Sequence, residues 1–311
     1  MMKIFIKKIL VFLVPIFLVW MGLEYFYRTT ESNYSYKHKM LTQNYEDIET
    51  LIVGDSHALY GINPDYLDSK AFNLANVSQS LYFDDLLFKK HIDSLKNLKQ
   101  IIMTISYFSL SKLENTEGDI WRKYFYSNQM DIRVPVISIF DVREYSLSLT
   151  RRFKFSVDFI KYYYDNEESL VGCDASGWGV LYETTNGKSL DTESWSAAKR
   201  HEDFLWDFED NIARLQSIIE YCKKIQCKVY LVDMPVYHEY VSRLNPDKLE
   251  KITKSCNDLA THNSNVTYIN LRQDFRLENS DFYDPDHLNH KGAKKYTEII
   301  NEMISDPKND D

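Results

Sequence analysis

The sequence is poor in cysteine and has no extended basic tract. Four cysteines in 311 residues are too few for a disulfide scaffold, and their spacing matches no metal site. Cys222 and Cys227 flank a predicted helix-to-strand turn, where they either pair in an oxidising compartment or remain separate buried thiols. The 37 Lys and Arg residues against 46 Asp and Glu residues give a formal net charge of −9. Because nucleic-acid binding needs clustered cations, this composition argues against a nucleic-acid partner. We also expect no metal or other cofactor.

The N-terminal segment, residues 1–30, has the composition of a targeting segment. Lysines precede the apolar run Ile9–Leu23 and few cations follow it, which is typical of a segment whose N-terminus stays in the cytoplasm. The length of the run fits either a membrane anchor or a signal-peptide core. The bulky residues 24–28 offer no small-x-small cleavage site, which favours an uncleaved anchor. We therefore predict a single-pass cell-membrane protein with an extracytoplasmic main domain, joined to the anchor by a polar tether over 31–48.

From residue 49 onward, short apolar runs alternate with amphipathic stretches. Strands are predicted near 50–53, 72–74, 100–106, 228–233 and 266–271, and helices near 81–95, 207–224, 246–262 and 289–303. This alternation predicts an α/β domain over 49–311, with a central and mainly parallel sheet. Residues 111–205 break the rhythm and predict a large insertion packed over one edge of the sheet, partly helical near 142–163. The chain closes on an acidic tail at 306–311.

A Gly-Asp-Ser-His stretch at 54–57 directly follows the first predicted strand. Gly-Asp-Ser at that position predicts a buried strand that stops abruptly at its carboxyl end. In open α/β sheets this is the edge where ligands bind, so the hydroxyl of Ser56 faces a crevice. Ser56 is therefore a candidate nucleophile, and it needs a base to remove its proton.

The candidate base is His287, near the other end of the chain. Asp284 stands three residues before it, and Pro285 favours a tight turn between the two. In such a turn the carboxylate of Asp284 would fix the imidazole tautomer and stabilise the imidazolium that forms when His287 takes the serine proton. Asn289 is a plausible N-cap for the final helix, which places the pair on a loop ahead of a helix that packs against the sheet.

Gly54-Asp55-Ser56 and Asp284-x-x-His287, in this order and more than 220 residues apart, resemble the first and last blocks of the SGNH/GDSL hydrolase superfamily. The resemblance covers about 49–110 and 207 to the end, and it does not cover the middle. It implies a three-layer, flavodoxin-like sandwich. It also implies a Ser-His-Asp triad in which Ser56 attacks an acyl carbonyl, His287 acts as base and Asp284 orients it.

The resemblance also implies an oxyanion hole, formed by the serine amide, a glycine of a second block and an asparagine of a third. Ser56 supplies the first donor. Ala75 or Asn76 stands where the glycine is usual, and Ser106 opens the stretch where the asparagine is expected. Asn76 or Ser106 would then replace the missing donor, with Asn76 the better substitute. Such departures are similar to the membrane-anchored, cell-envelope branches of the superfamily, which include glycan O-acetyltransferases and relatives of the teichoic-acid D-alanylation protein.

Four other residues are candidates for the pocket wall. His57 adjoins the nucleophile, whereas Tyr237 and His238 follow a predicted strand that ends at the same sheet edge. Trp178, together with Tyr182, is a candidate for stacking on a sugar. Each has an alternative, because large aromatic residues fill cores more often than they line sites, and both Tyr237 and His238 fit a surface position.

These patterns predict an extracytoplasmic, serine-dependent enzyme that acts on acyl esters of a cell-envelope glycan or a lipid-linked saccharide. O-acetyltransferase and acetylesterase activity stay equally open, as does a multi-spanning partner that hands over the acyl group. The alternative is a catalytically inactive protein of the same fold that binds a glycan or an assembly partner, and the missing asparagine favours it. A metal held by Asp55, His57 and Asp284 is disfavoured, because their spacing forms no recognised ligand set.

Overall fold

The computed structural model describes residues 2–113 and 119–305, and the acidic tail at 306–311 lies outside them. The chain divides into two compact units. The first combines Met1–His38 with Ile120–Gly172, and the second combines Lys39–Asp119 with Cys173–Asp311. The stretch predicted as one insertion is therefore shared between the two units.

The regular elements of the described residues follow in chain order. The helices are α1 (Met2–Thr29), α2 (Asn33–Gln43), α3 (Ser56–Gly61), α4 (Leu81–His91), α5 (Arg122–Met130), α6 (Val142–Tyr145), α7 (Phe153–Asp165), α8 (Leu190–His201), α9 (Glu209–Lys224), α10 (His238–Ser242), α11 (Pro246–His262) and α12 (His290–Ser305). The strands are β1 (Thr50–Val53), β2 (Ala71–Asn73), β3 (Gln100–Ile105), β4 (Lys228–Asp233), β5 (Val266–Asn270), β6 (Phe282–Asp284) and β7 (His287–Leu288).

The first unit contains the long apolar helix α1. Its 28 residues give a length of about 42 Å, which exceeds the roughly 30 Å hydrocarbon core of a bilayer. Among the described residues, α1 is the helix long and apolar enough to cross a membrane, and a signal sequence would meet the same criterion. The stretch predicted as a tether contains α2. Near the C-terminal end of α1, Tyr27 is buried against Phe125 of α5 and Phe159 of α7.

The second unit contains a five-stranded parallel sheet in the order β2-β1-β3-β4-β5. This is the strand order of flavodoxin-like folds. The prediction of an α/β, flavodoxin-like sandwich is therefore confirmed. Ile52 of β1 lies opposite Ile102 of β3, which lies opposite Tyr230 of β4.

These three side chains belong to one core, which brings the two ends of the chain together. Ile52, Ile102 and Tyr230 pack with α3 and with Tyr296 and Ile300 of α12. The helix α3 directly follows β1, and α12 directly follows the hairpin of β6 and β7. Because α3 contacts both α12 and β7, this core brings the carboxyl end of β1 next to the hairpin.

Candidate active site

The turn after β1 presents Ser56 at the edge of the sheet. Gly54 has a φ of +135°, and a Cβ there would lie 2.1 Å from the Thr104 hydroxyl oxygen. Only glycine fits this position, because other residues avoid such a φ and the Cβ would clash. Asp55 caps α3 by accepting the His57 amide N–H at 2.9 Å. Ser56 is thus held as the first residue of α3.

The hairpin of β6 and β7 brings the two other predicted triad residues to Ser56. One Asp284 carboxylate oxygen accepts the backbone amides of Asp286 and His287 at 2.8 and 2.9 Å, which ties the hairpin turn. The same oxygen lies 3.0 Å from His287 Nδ1, and His287 Nε2 lies 2.8 Å from Ser56 Oγ. The structure therefore places Ser56, His287 and Asp284 in one chain of hydrogen bonds.

The environment keeps the Asp284 carboxyl ionised. Burial by itself raises the pKa of Asp284, but the hydrogen bond and the charge of His287 outweigh burial and leave the pKa below its ordinary value. An ionised Asp284 accepts the Nδ1 proton of His287, which leaves the Nε2 lone pair directed at the Ser56 hydroxyl. This is the tautomer that a general base requires.

A second buried network lies directly against the triad. His57 Nδ1 is 2.8 Å from Asp55 Oδ1, and His57 Nε2 is 3.0 Å from Asp286 Oδ1. The His57 ring stacks on the His287 ring, with 5.1 Å between centroids. Burial lowers the pKa of His57, but the charges and hydrogen bonds of Asp55 and Asp286 outweigh burial and raise the pKa well above its ordinary value. His57 is therefore a buried imidazolium held between two carboxylates.

Asp286 connects this network to a third histidine. Asp286 Oδ2 lies 3.5 Å from His201 Nε2 and 3.8 Å from His287 Nε2. His201 ends α8, and its Nδ1 is 2.8 Å from the Tyr240 hydroxyl. Burial lowers the pKa of His201, which favours the neutral ring. Sequence reasoning missed both residues: Asp286 stood inside the quoted motif, whereas no pattern around His201 indicated a site.

The backbone amides of Ala75 and Asn76 and the hydroxyl of Ser106 are engaged elsewhere, whereas the Asn76 side-chain amide stays a predicted donor. The amide of Ala75 donates to the Asn73 side chain at 3.1 Å, and the amide of Asn76 donates to Gly54 O at 3.3 Å. The Ser106 hydroxyl donates to Asp55 Oδ2 at 2.6 Å. In this arrangement the Ser106 side chain supports the second network instead of facing a substrate.

Ser78 is a further candidate donor that sequence reasoning missed. It lines the same cavity as Ser56, and among the described residues neither of their two amides donates a hydrogen bond. Ser78 has a φ of +58°, in the left-handed region that favours glycine. It therefore takes a backbone conformation that glycine usually supplies. No signal could have located it, because a serine, unlike a glycine, does not mark a left-handed position.

The triad opens into a cavity of about 610 Å³, within the second unit. Its lining residues are Ser56, Val77, Ser78, Phe108, Lys112, Leu113, Asp119, Tyr182, Arg200, His201, Asp203, Leu205, Asp284, Asp286 and His287. Pockets of this size hold small-molecule substrates. Tyr182 stacks between Tyr60 and Tyr283, with 3.8 Å between centroids on each side, and presents its edge to His287.

The four predicted pocket residues lie elsewhere than on this described lining. Trp178 is buried and donates its indole N–H to Tyr60 O at 3.1 Å. Tyr237 is buried with its hydroxyl 2.8 Å from Asp191 Oδ1, and His238 is exposed. His57 lies in the second network behind the triad. Trp178 thus has the packing position that was its alternative interpretation, and His238 has the surface position that was its own. The surface alternative for Tyr237 was wrong, because its ring is buried and its hydroxyl is hydrogen-bonded.

His57, Asp286 and His287 also form a group that is compact enough to be considered for a metal, with ligand atoms within 4.8 Å of one another. Hydrogen bonds already engage the ring nitrogens of the two histidines. Both ring nitrogens of His57 contact carboxylates, and those of His287 contact Asp284 and Ser56. The geometry is thus accounted for without an ion, and the absence of a cofactor stays a prediction.

One buried carboxyl beside the nucleophile turn gives a pH-dependent stability. Burial raises the pKa of Asp84 to about 7, against the opposing hydrogen bond from Gln79 at 2.7 Å. Because this folded-state pKa exceeds the unfolded value, the stabilisation is full below about pH 4 and is lost as pH rises through about 7. The variant Asp84→Asn cannot ionise at this position. Its free energy of unfolding relative to that of the parent should therefore increase by about 4 kcal/mol between pH 4 and pH 8, as measured by urea unfolding.

The matched control is Asp258→Asn, at an exposed position of α11. Its difference from the parent should be the same at both pH values. An Asp84→Asn difference that does not grow with pH would contradict the assignment of a raised pKa to Asp84.

Comparison with known proteins identifies no family. No protein-family model matches the chain, and no curated protein matches it. Among solved structures, the chain is similar to one described as "a putative platelet activating factor from Streptococcus pneumonia", with a TM-score of 0.41 and 13% identity. That match covers 94% of this chain and 99% of the other. A TM-score this low carries no functional argument, so function is argued from the site alone.

Proposed function

We propose that this protein is a serine-dependent acyl-ester enzyme of the SGNH/GDSL superfamily. The observation that carries the proposal is the hydrogen-bonded chain from Ser56 Oγ through the His287 ring to Asp284, at the wall of the cavity. Nucleophile, base and orienting carboxylate at these distances are the arrangement of covalent acyl transfer.

In the first half-reaction, Ser56 Oγ attacks the carbonyl carbon of the ester and its proton passes to His287 Nε2. Asp284 stabilises the imidazolium that results. The amides of Ser56 and Ser78 are the donors proposed for the oxyanion, and the loss of one such donor typically costs about a hundredfold to a thousandfold in rate. The tetrahedral intermediate then expels the alcohol, which takes the proton back from His287 and leaves an acyl group on Ser56.

In the second half-reaction, His287 removes a proton from water or from a sugar hydroxyl, which attacks the carbonyl carbon of the acyl-enzyme. The bond from that carbon to Ser56 Oγ then breaks, and His287 returns the proton to Ser56 Oγ. Water gives an acetylesterase, and a sugar hydroxyl gives an O-acetyltransferase. We propose a cell-envelope glycan or lipid-linked saccharide as the substrate. The long apolar helix α1, with lysines near its N-terminus, supports an extracytoplasmic enzyme anchored beside such a polymer.

Mass spectrometry of the intact full-length protein, incubated with a simple acetyl ester, tests the proposal. We expect an acetyl adduct that maps to Ser56, and its decay with or without added glycan distinguishes transfer to sugar from transfer to water. The adduct should be absent in Ser56→Ala. A wild-type protein that stays folded but never acquires the adduct would contradict an enzymatic function.

A second candidate function is a catalytically inactive protein that binds a glycan or an assembly partner. The engagement of Ser106 with Asp55 favours it, because the position expected to supply the third oxyanion donor is occupied by a hydroxyl that is already bonded. Glycan binding by a wild-type protein that forms no adduct would support this function.

A further inference from the structure

We propose that an apolar surface of the first unit inserts into the interfacial region of the membrane that α1 spans. The surface, here termed the apolar collar, consists of Ile139, Phe140, Val142, Tyr145, Leu149, Phe153 and Phe155, all of them exposed. Phe140 is 87% exposed and Ile139 is 73% exposed. The inference rests on the proposed membrane anchor, and it adds a second contact between the same unit and the lipid.

The collar residues are concentrated in one short stretch of the chain, and all seven are exposed. It occupies residues 139–155, and the Tyr145 hydroxyl donates to Ile139 O at 2.9 Å, which folds its first part together. Monomeric soluble proteins rarely expose large contiguous apolar patches, and such patches mark contacts with proteins or membranes. The question is therefore what covers the collar.

Hydrogen bonds to α1 fix the position of the collar along this helix, and therefore its depth in the membrane. Glu24 of α1 accepts the Ser148 amide at 3.0 Å and the Ser146 hydroxyl at 2.7 Å, and Trp20 donates its indole N–H to Ser146 at 3.0 Å. Further along α1, Arg28 donates to Tyr145 O at 2.9 Å.

The contacts from Trp20 to Arg28 fall where the apolar run of α1 ends at Leu23. At 1.5 Å per residue they span about 12 Å of the helix, which is longer than the roughly 5 to 7.5 Å headgroup region of one leaflet, so they extend from the edge of the hydrocarbon core to the aqueous side. A helix that spans the bilayer therefore places segment 145–148, and the collar around it, at the boundary of hydrocarbon and water.

The side chains of the collar suit that boundary. Exposed Arg152 and Lys154 alternate with the exposed aromatic residues Phe153 and Phe155. Aromatic rings favour the interfacial region, while long cationic side chains reach the phosphates of anionic lipids. Lipid is present at this level of α1 whenever α1 spans the membrane, and the alternating cationic and aromatic side chains match the chemistry of its headgroups. The occupant we infer is thus the leaflet surface.

Fluorescence quenching in the full-length protein tests the inference. Single cysteines at Phe140→Cys, Glu168→Cys and Val14→Cys would be labelled with an environment-sensitive fluorophore in vesicles of phosphatidylcholine and phosphatidylglycerol. The four native cysteines are buried, so the parent chain measures the background. Glu168 serves as the aqueous control because it is exposed in the same unit. It lies close to Leu170, which forms a β-bridge with Ser32, beyond the end of α1.

We expect lipids with a nitroxide near the headgroup to quench the label at Phe140 and to leave the label at Glu168 unchanged, and lipids with a deep nitroxide to quench the label at Val14. Ile139→Cys provides a second reporter should Phe140→Cys fail to fold. If the label at Val14 is quenched but the label at Phe140, like that at Glu168, is not, the inference about the collar is overturned while the membrane anchor stands. No quenching at Val14 would overturn the anchor itself. A Phe140 label shielded from aqueous iodide but not quenched by lipid would show that a second copy covers the collar.

Discussion

Replacing Ser56 with alanine is expected to lower kcat for an acetyl ester by about ten-thousandfold or more, and to abolish covalent labelling by a fluorophosphonate. The reason is that in the proposed mechanism Ser56 Oγ forms the acyl bond, and its 2.8 Å contact with His287 Nε2 is the proposed path for its proton. Turnover of a chromogenic acetyl ester and labelling of the full-length protein in detergent measure the two effects.

The control for this variant is Ser242→Ala, at an exposed serine of α10 whose hydroxyl donates to Glu239 O. It should keep full turnover and labelling. His287→Ala should lose nearly as much activity as Ser56→Ala, and the double variant should be hardly worse than either one, because the two side chains act as a unit. Fluorophosphonate labelling that persists in Ser56→Ala would exclude Ser56 as the nucleophile.

The largest effect on stability is expected from His57→Gln. The side chains of His57, Asp55 and Asp286 are at most 4% exposed, so the imidazolium of His57 is the buried charge that compensates two buried carboxylates. Removal of one member of a buried ionic network leaves uncompensated charge and typically costs about 3 to 5 kcal/mol. The midpoint of thermal unfolding should fall by roughly 6 to 20 °C.

The pH dependence of this effect has a definite sign. The pKa of His57 is raised, so its contribution is full below its unfolded value of about 6.5 and is lost as pH rises through the folded value. The pKa values of Asp55 and Asp286 are lowered, so their contributions are present above about 3.9 and are lost as pH falls through the folded values. The alkaline loss of stability in the parent should be absent from His57→Gln.

Exposed His238 provides the matched control for the same substitution, with its side chain 63% exposed. His238→Gln should change the unfolding midpoint little, because surface substitutions usually change stability by about 0.5 kcal/mol or less. Equal midpoints for His57→Gln and the parent at pH 7 would show that the His57 network carries no net stabilisation.

Local patterns in the sequence were sufficient for the fold and for much of the site. The strands were predicted from apolar runs that end at Gly-Asp-Ser or at polar turns. This succeeds because the length of a strand and the turn that ends it depend on residues close together in the sequence. The Asp284 to His287 spacing predicted a tight turn for the same reason, and the structure shows a hairpin tied by the Asp284 carboxylate. The length and polarity of α1 were likewise readable from the chain.

Only the tertiary structure decided which distant residues share the site. His201 reaches the cavity because α8 packs there, and Asp286 lies between His57 and His287 because the hairpin docks on α3. Trp178 and Tyr237 are buried, because burial of an aromatic ring removes more apolar surface from water than a position on the wall of a hydrated cleft does. Such choices depend on packing between segments that lie as far as 231 residues apart in the chain. The spacing of residues in the sequence predicts local geometry. Buried charge networks and cavity walls form only when segments that are distant in the sequence pack together.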